Sequence, residues 1–235
     1  MSLKNWDNKT WLSSNKYINS FNNFLLKQTK INKDSQILDI GCGRGKILGS
    51  LSSKLKLRNK PIGIDIENHK DRDKRIDFEK VDAIRYLKKD KKKFDLILIK
   101  QTIHFFNKNE IKLLLTLCRS KLHLKGKILI FTLETFQNEL PVFLLMKKKL
   151  NESLNRDKKI IKFVHKLFPK LRRKNFMFKV KISKNKYIEM IENRFISILL
   201  GLNRNEIIKG INEIENKFGK NLKFKDKLIC LIFEK

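Results

Sequence analysis

The stretch Ile37-Leu38-Asp39-Ile40-Gly41-Cys42-Gly43-Arg44-Gly45-Lys46-Ile47-Leu48 limits what this chain can fold into more than any other. Apolar residues run into three glycines at alternate positions, and apolar helix formers follow. The pattern reads as a buried strand, a tight turn and the start of a helix. Glycines are needed where the backbone takes positive φ or approaches a ligand closely. A helix beginning there offers free N–H groups to a polar or anionic ligand.

The dinucleotide fingerprint places its third glycine three residues after the second. Here the spacing is G-x-G-x-G, with Asp39 two residues ahead of Gly41. That arrangement resembles the first motif of the class I S-adenosylmethionine (SAM)-dependent methyltransferases. Further along, Ile62–Ile66 reads as a second strand ending near Asp65, twenty residues after Gly45. A carboxylate at that position can accept hydrogen bonds from ribose hydroxyls. Asp77–Ala83 reads as a third strand ending in an acid, Asp82. The resemblance implies that Asp82, followed by Ala83, reaches the adenine amino group; the competing role is a helix N-cap.

Phe94–Ile99 is a continuous apolar run, as a strand buried on both faces should be. Lys100-Gln101-Thr102-Ile103-His104 follows at the carboxyl edge, where ligands bind in open α/β sheets. The spacing of Ile111, Leu114, Leu115 and Cys118 predicts a helix over 110–122. Leu124-Lys125-Gly126 is expected to turn the chain into a fifth strand, Lys127–Phe131, and the pattern Leu-x-Leu-Lys-Gly-x-Ile-Leu-Ile is also similar to the family.

The resemblance covers about residues 35–133. It implies a doubly wound, mostly parallel, seven-stranded sheet of Rossmann-like type, with a helical lid inserted after the fifth strand. The expected organisation is one domain. Residues 1–30, with Trp6, Trp11, Tyr17 and Phe21, would be helices covering the cofactor. Residues 35–133 would form the SAM-binding core, 137–200 a helical lid and substrate region, and 203–235 the final helix and strand. Within the lid, 137–171 is expected to be helical and Phe176–Ile182 to be a strand. The late layout is similar to the small-molecule branch that includes trans-aconitate methyltransferase-like and type 11 proteins. The expected cofactor-binding residues are Asp39, Gly41, Cys42, Gly43, Gly45, Asp65, Ile66, Asp82, Ala83, Lys100 and Gln101.

The net charge of +31 is unusual. Thirteen basic residues fall between Arg156 and Lys186, against the single acid Asp157. Such a segment can bind RNA phosphates, with Phe163, Phe176 or Phe178 available for stacking. It can lie on an anionic membrane and reach a lipid substrate, draw in an acidic metabolite, or be a solvated lysine-rich face. A lysine-enriched composition with one alanine also fits a genome-wide coding bias.

The absences narrow the options. Cys42, Cys118 and Cys230 are widely spaced, which fits a reducing cytosol better than a disulfide framework or zinc site. No metal, signal peptide or membrane span is expected. The fourth strand does not end in the Asn/Asp-Pro-Pro-aromatic motif of amino-methyltransferases acting on adenine or glutamine. Lys100 stands where 2′-O-ribose enzymes place an aspartate. Displacement at an activated methyl group depends largely on placing donor and acceptor together. A hydroxyl or amine acceptor can require a base, and His104 is the candidate. The expectation is a cytoplasmic methyltransferase using SAM on a small molecule. The alternatives are an RNA methyltransferase using residues 156–186, an enzyme acting on lipid at a membrane surface, and a SAM-fold subunit without catalysis.

Overall fold

The computed structural model describes residues 9–235; Trp6 lies outside the described residues. Seven strands form one sheet: β1 (Ile37–Ile40), β2 (Ile62–Asp65), β3 (Asp77–Lys80), β4 (Phe94–Lys100), β5 (Leu122–Leu133), β6 (Arg172–Ser183) and β7 (Asn221–Glu234). Their order across the sheet is β3-β2-β1-β4-β5-β7-β6. The first five are parallel, while β7 runs antiparallel to both β5 and β6. The chain reverses its winding between β1 and β4. Two neighbouring strand ends diverge there into a crevice open to a ligand.

The helices are α1 (Asn15–Gln28), α2 (Lys46–Leu55), α3 (Ala83–Lys89), α4 (Lys108–Ser120), α5 (Leu144–Leu167), α6 (Lys184–Glu192) and α7 (Arg204–Lys217). Alternate strand residues point to opposite faces, so each strand feeds two cores. Ile37, Leu96, Leu98 and Phe131 meet Tyr17, Phe21 and Leu25 of α1 and Leu48 and Leu51 of α2. Leu38, Ile97, Ile99 and Ile128 meet α3, α4 and the far half of α5. A third core joins Phe143 and Met146 to α6, α7 and the ends of β6 and β7.

Several boundaries differ from the sequence expectation. The segment 137–171 is not helical throughout: α5 begins only at Leu144, because Pro141 has no N–H to give and biases Leu140 away from helical backbone. Leu124-Lys125-Gly126 does not turn the chain. It lies within β5 as an irregularity opposite Phe94–Leu96, with Lys125 at φ 66. The helix expected over 110–122 starts at Lys108 behind a reciprocal cap between Asn107 and Glu110, and Leu122 already belongs to β5. Within 137–200, β6 is the edge strand of the main sheet rather than part of a helical cover. Phe176 on β6 is buried and packs against Tyr17 and Phe21, so it is not available for stacking on RNA.

Candidate active site

All three glycines of the turn take positive φ: 72° at Gly41, 54° at Gly43 and 68° at Gly45. A Cβ at Gly41 would collide with the Thr102 side chain, whereas one at Gly43 would meet nothing. Gly41 therefore marks a close approach between the turn and the loop after β4, and Gly43 borders open space. That space is a cavity of about 520 Å³ at the crevice between β1 and β4. It is lined by all eleven residues expected to hold a cofactor.

The turn's amides are already engaged. Gly41 and Cys42 donate to the Ile64 carbonyl at 2.9 and 3.1 Å, and Gly45 donates to the Cys42 carbonyl at 2.9 Å. Gly43 donates to Asp65 Oδ2 at 2.8 Å. Asp65 Oδ1 accepts from the Glu67 amide at 3.0 Å. A pyrophosphate site needs the opposite arrangement, free amides and no carboxylate among them. This cavity suits hydroxyl donors and a cation.

Asp39 gives the strongest sign of that preference. It is 4% exposed, and its Oδ1 has no hydrogen-bond partner among the described residues. Burial pushes its carboxyl up to about 7; nearby Lys100 opposes the rise and Asp65 adds to it. Leaving a carboxylate this way costs free energy unless a ligand supplies the missing partner. The Cys42 thiol is pushed up by burial and by the same two aspartates, so it is not a thiolate nucleophile.

Asp82 takes the N-cap role: its Oδ1 accepts from the Arg85 amide at 2.9 Å at the start of α3, and it also borders the cavity. Ile66 is 63% exposed and Phe105 61%, so both present apolar surface on the cavity wall. Sequence reasoning missed Leu12, Ser13, Ile18, His69 and Thr102. The aromatics of α1 face the sheet, and on the N-terminal side the cavity is lined by Ile18 of α1 and by Leu12 and Ser13 just before it.

A second cavity, of about 270 Å³, adjoins the first and shares Leu12, Gln101 and Phe105 with it. Trp11, Leu140, Leu150, Phe195 and Phe224 give it apolar walls. His104 lines this cavity and not the first. Burial, and secondarily Arg156, holds its imidazole down to about 4, so it is a neutral proton acceptor at physiological pH. Asp157 and Asp226 also line it, and both carboxyls are raised chiefly by burial. Trp11 Nε1 donates to Asp226 Oδ2 at 3.3 Å. Arg156 donates from Nε and Nη2 to Asp157 Oδ1, each at 3.3 Å.

These two acids had a sequence signal. Asp157 falls in the buried row Leu150, Leu154, Asp157, Ile161, Val164, and Asp226 in the inward row Leu222, Phe224, Asp226, Leu228. An acid on an apolar stripe marks a place where burial is tolerated for a purpose. Of the thirteen basic residues in 156–186, only Arg156 lines either cavity. Among the described residues no cluster of His, Cys, Asp and Glu is arranged to hold a metal, and no helix is long and apolar enough to cross a membrane.

Comparison with known proteins agrees with this fold. The family described as "Methyltransferase domain" matches residues 37–126. A search of curated proteins finds no match. Among solved structures, a SAM-dependent methyltransferase from Archaeoglobus fulgidus aligns with TM-score 0.53 at 23% identity, covering 93% of this chain and 94% of that one. One from Geobacter sulfurreducens, in complex with S-adenosyl-L-homocysteine, aligns with TM-score 0.55 at 11% identity over 94% and 92%. A candidate methyltransferase of an antibiotic biosynthesis pathway in Anabaena variabilis reaches TM-score 0.63 at 13% identity over 89% and 95%. Residues 37–126 thus match a methyltransferase domain, and the G-x-G-x-G turn and the strand order give the chain the fold of the class I SAM-dependent methyltransferases.

Proposed function

We propose that this enzyme methylates a small molecule bound in the second cavity, with SAM in the first. One observation carries the reading: the two cavities share Leu12, Gln101 and Phe105 in their walls, so a donor in one and an acceptor in the other lie on either side of the same three side chains. SAM supplies a methyl group already activated by its sulfonium. The chain has to bind, orient and exclude water.

The residues suit that task. The unpaired Asp39 oxygen fits the α-ammonium of a methionyl group. Asp65 retains lone pairs beyond its two backbone bonds and can take ribose hydroxyls. Ile66 offers an apolar face to a base, with Asp82 and Ala83 on the same wall. Cys42, Gly43 and Gly45 shape the floor, and Lys100 and Gln101 close the side toward β4. In the second cavity, neutral His104 is placed to accept the proton of a hydroxyl or amine acceptor.

In this reading residues 9–30, together with the parts of 137–200 on either side of β6, form the cover and the acceptor wall around one catalytic domain. The three free thiols suit a reducing cytoplasm. Neither RNA nor an anionic membrane gains support from the cavities, because their walls carry only Arg156 from the basic segment. Calorimetry with SAM and S-adenosylhomocysteine, followed by a tritiated-methyl assay on fractionated metabolite, lipid and RNA pools, tests the proposal. Transfer confined to the RNA or lipid pool would overturn it.

A further inference from the structure

The second cavity holds four charged side chains, and they are not equally reachable. Asp157 is 2% exposed and already takes two hydrogen bonds from Arg156. Asp226 is occupied by the Trp11 indole N–H. The cations are the accessible pair: the side chain of Arg156 is 47% exposed and that of Lys225 is 45% exposed. Lys225 has a counter-ion, Glu139, at 3.7 Å.

Arg156 differs from Lys225 in how it is held. Its Nε and Nη2 converge on one oxygen of a buried acid, which fixes the guanidinium plane. The planar group carries five N–H donors, so donors remain beyond those two bonds. Trp11, Leu140, Leu150 and Phe224 give the cavity apolar walls beside it, among polar neighbours such as Asn138 and Ser153. A fixed guanidinium at an apolar wall recognises carboxylates through paired, charge-assisted hydrogen bonds. The net charge of +31 would concentrate such anions near the protein.

Resting on the two-cavity reading above, we propose that the acceptor is a small, largely apolar acid whose carboxylate pairs with Arg156, held in place by Asp157. Arg156 is then a specificity-determining residue. The acid orients the substrate, while the boundary with the first cavity at Gln101 and Phe105 sets which atom meets the donor.

The test uses the full chain saturated with S-adenosylhomocysteine and three probes of matched shape: 3-phenylpropionate, 3-phenylpropanamide and 3-phenylpropylamine. Phenylacetate, 4-phenylbutyrate and octanoate extend the acid series. Affinities are read by ligand-observed NMR at pH 7. The best acid is expected to bind at least tenfold more tightly than its amide. Arg156→Gln should bring acid and amide within about twofold, while Lys225→Gln preserves most of the preference. The S-adenosylhomocysteine affinity of Arg156→Gln should be unchanged, which shows that the fold and first cavity are intact. The inference is overturned if no acid binds at millimolar concentration, if the amide or amine binds best, or if Lys225→Gln rather than Arg156→Gln removes the preference. Failure of the wild-type chain to bind S-adenosylhomocysteine would instead count against the underlying function.

Discussion

Asp39 offers the most direct quantitative test. Its carboxyl is raised from its ordinary value of 3.8 to about 7, with burial as the main cause. In the unliganded protein the native state therefore holds a proton that the unfolded chain has lost between pH 4 and 7. By linkage, this group lowers stability as pH rises through that window. Three units correspond to about 4 kcal/mol as an upper bound, at 1.36 kcal/mol per unit. A ligand ammonium beside Asp39 reverses the preference, because the complex needs the carboxylate. With the carboxylate ionised in the complex, affinity for S-adenosylhomocysteine should fall about fivefold from pH 7 to 6 and about fiftyfold from pH 7 to 5. The window stays below the pKa of an α-amino group, so the ligand remains cationic. Calorimetry in two buffers of different ionisation enthalpy should detect close to half a proton released at pH 7 and close to one at pH 6. Asp65, Lys100, Cys42 and His69 also line the cavity. Asp39→Asn leaves all four in place and should flatten the pH dependence while raising the melting temperature of the unliganded protein at pH 7. The ligand 5′-methylthioadenosine lacks the ammonium and should bind with little pH dependence. A pH-dependent affinity that survives Asp39→Asn would show the reasoning to be wrong.

Four further perturbations have defined outcomes. Gly41→Ala, which collides with Thr102 at φ 72, should lower the melting temperature and abolish S-adenosylhomocysteine binding. Gly43→Ala meets no neighbouring atom, so it should cost only about 1–2 kcal/mol of backbone strain yet still weaken binding by projecting a methyl into the cavity. Once an acceptor is known, His104→Gln should reduce kcat by about 10²–10⁴-fold with the S-adenosylhomocysteine Kd unchanged. Since the imidazole titrates at about 4, its contribution should be level from pH 5.5 to 8, and a rate rising through pH 6.5 would refute that assignment. Lys56 ends α2 in left-handed backbone at φ 51, with its amide on Ser52 and Ser53 carbonyls; Lys56→Gly should stabilise by about 0.5–1 kcal/mol in denaturant unfolding.

Asp65→Ala is a less clean probe of ribose binding than the sequence suggested. The same carboxylate accepts from Gly43 and Glu67 amides, so its removal also loosens the glycine turn. The sequence could place Asp65 at a strand end but not show what it already holds.

The parallel core was legible because its signals are local. A buried strand is a short apolar run, and positive φ demands glycine at Gly41, Gly43 and Gly45 wherever the rest of the chain goes. Those same constraints put Asp39, Asp65 and Asp82 at neighbouring strand ends, so the first cavity could be read one strand at a time. The second cavity could not. It is made by Trp11 before the first helix, His104 after β4, Arg156 and Asp157 midway along α5, and Asp226 in the last strand. No spacing rule links positions so far apart. They become neighbours only because β7 inserts antiparallel between β5 and β6, carrying Asp226 to the Trp11 indole. Local backbone chemistry dictated the cradle; long-range strand pairing decided which side chains face it.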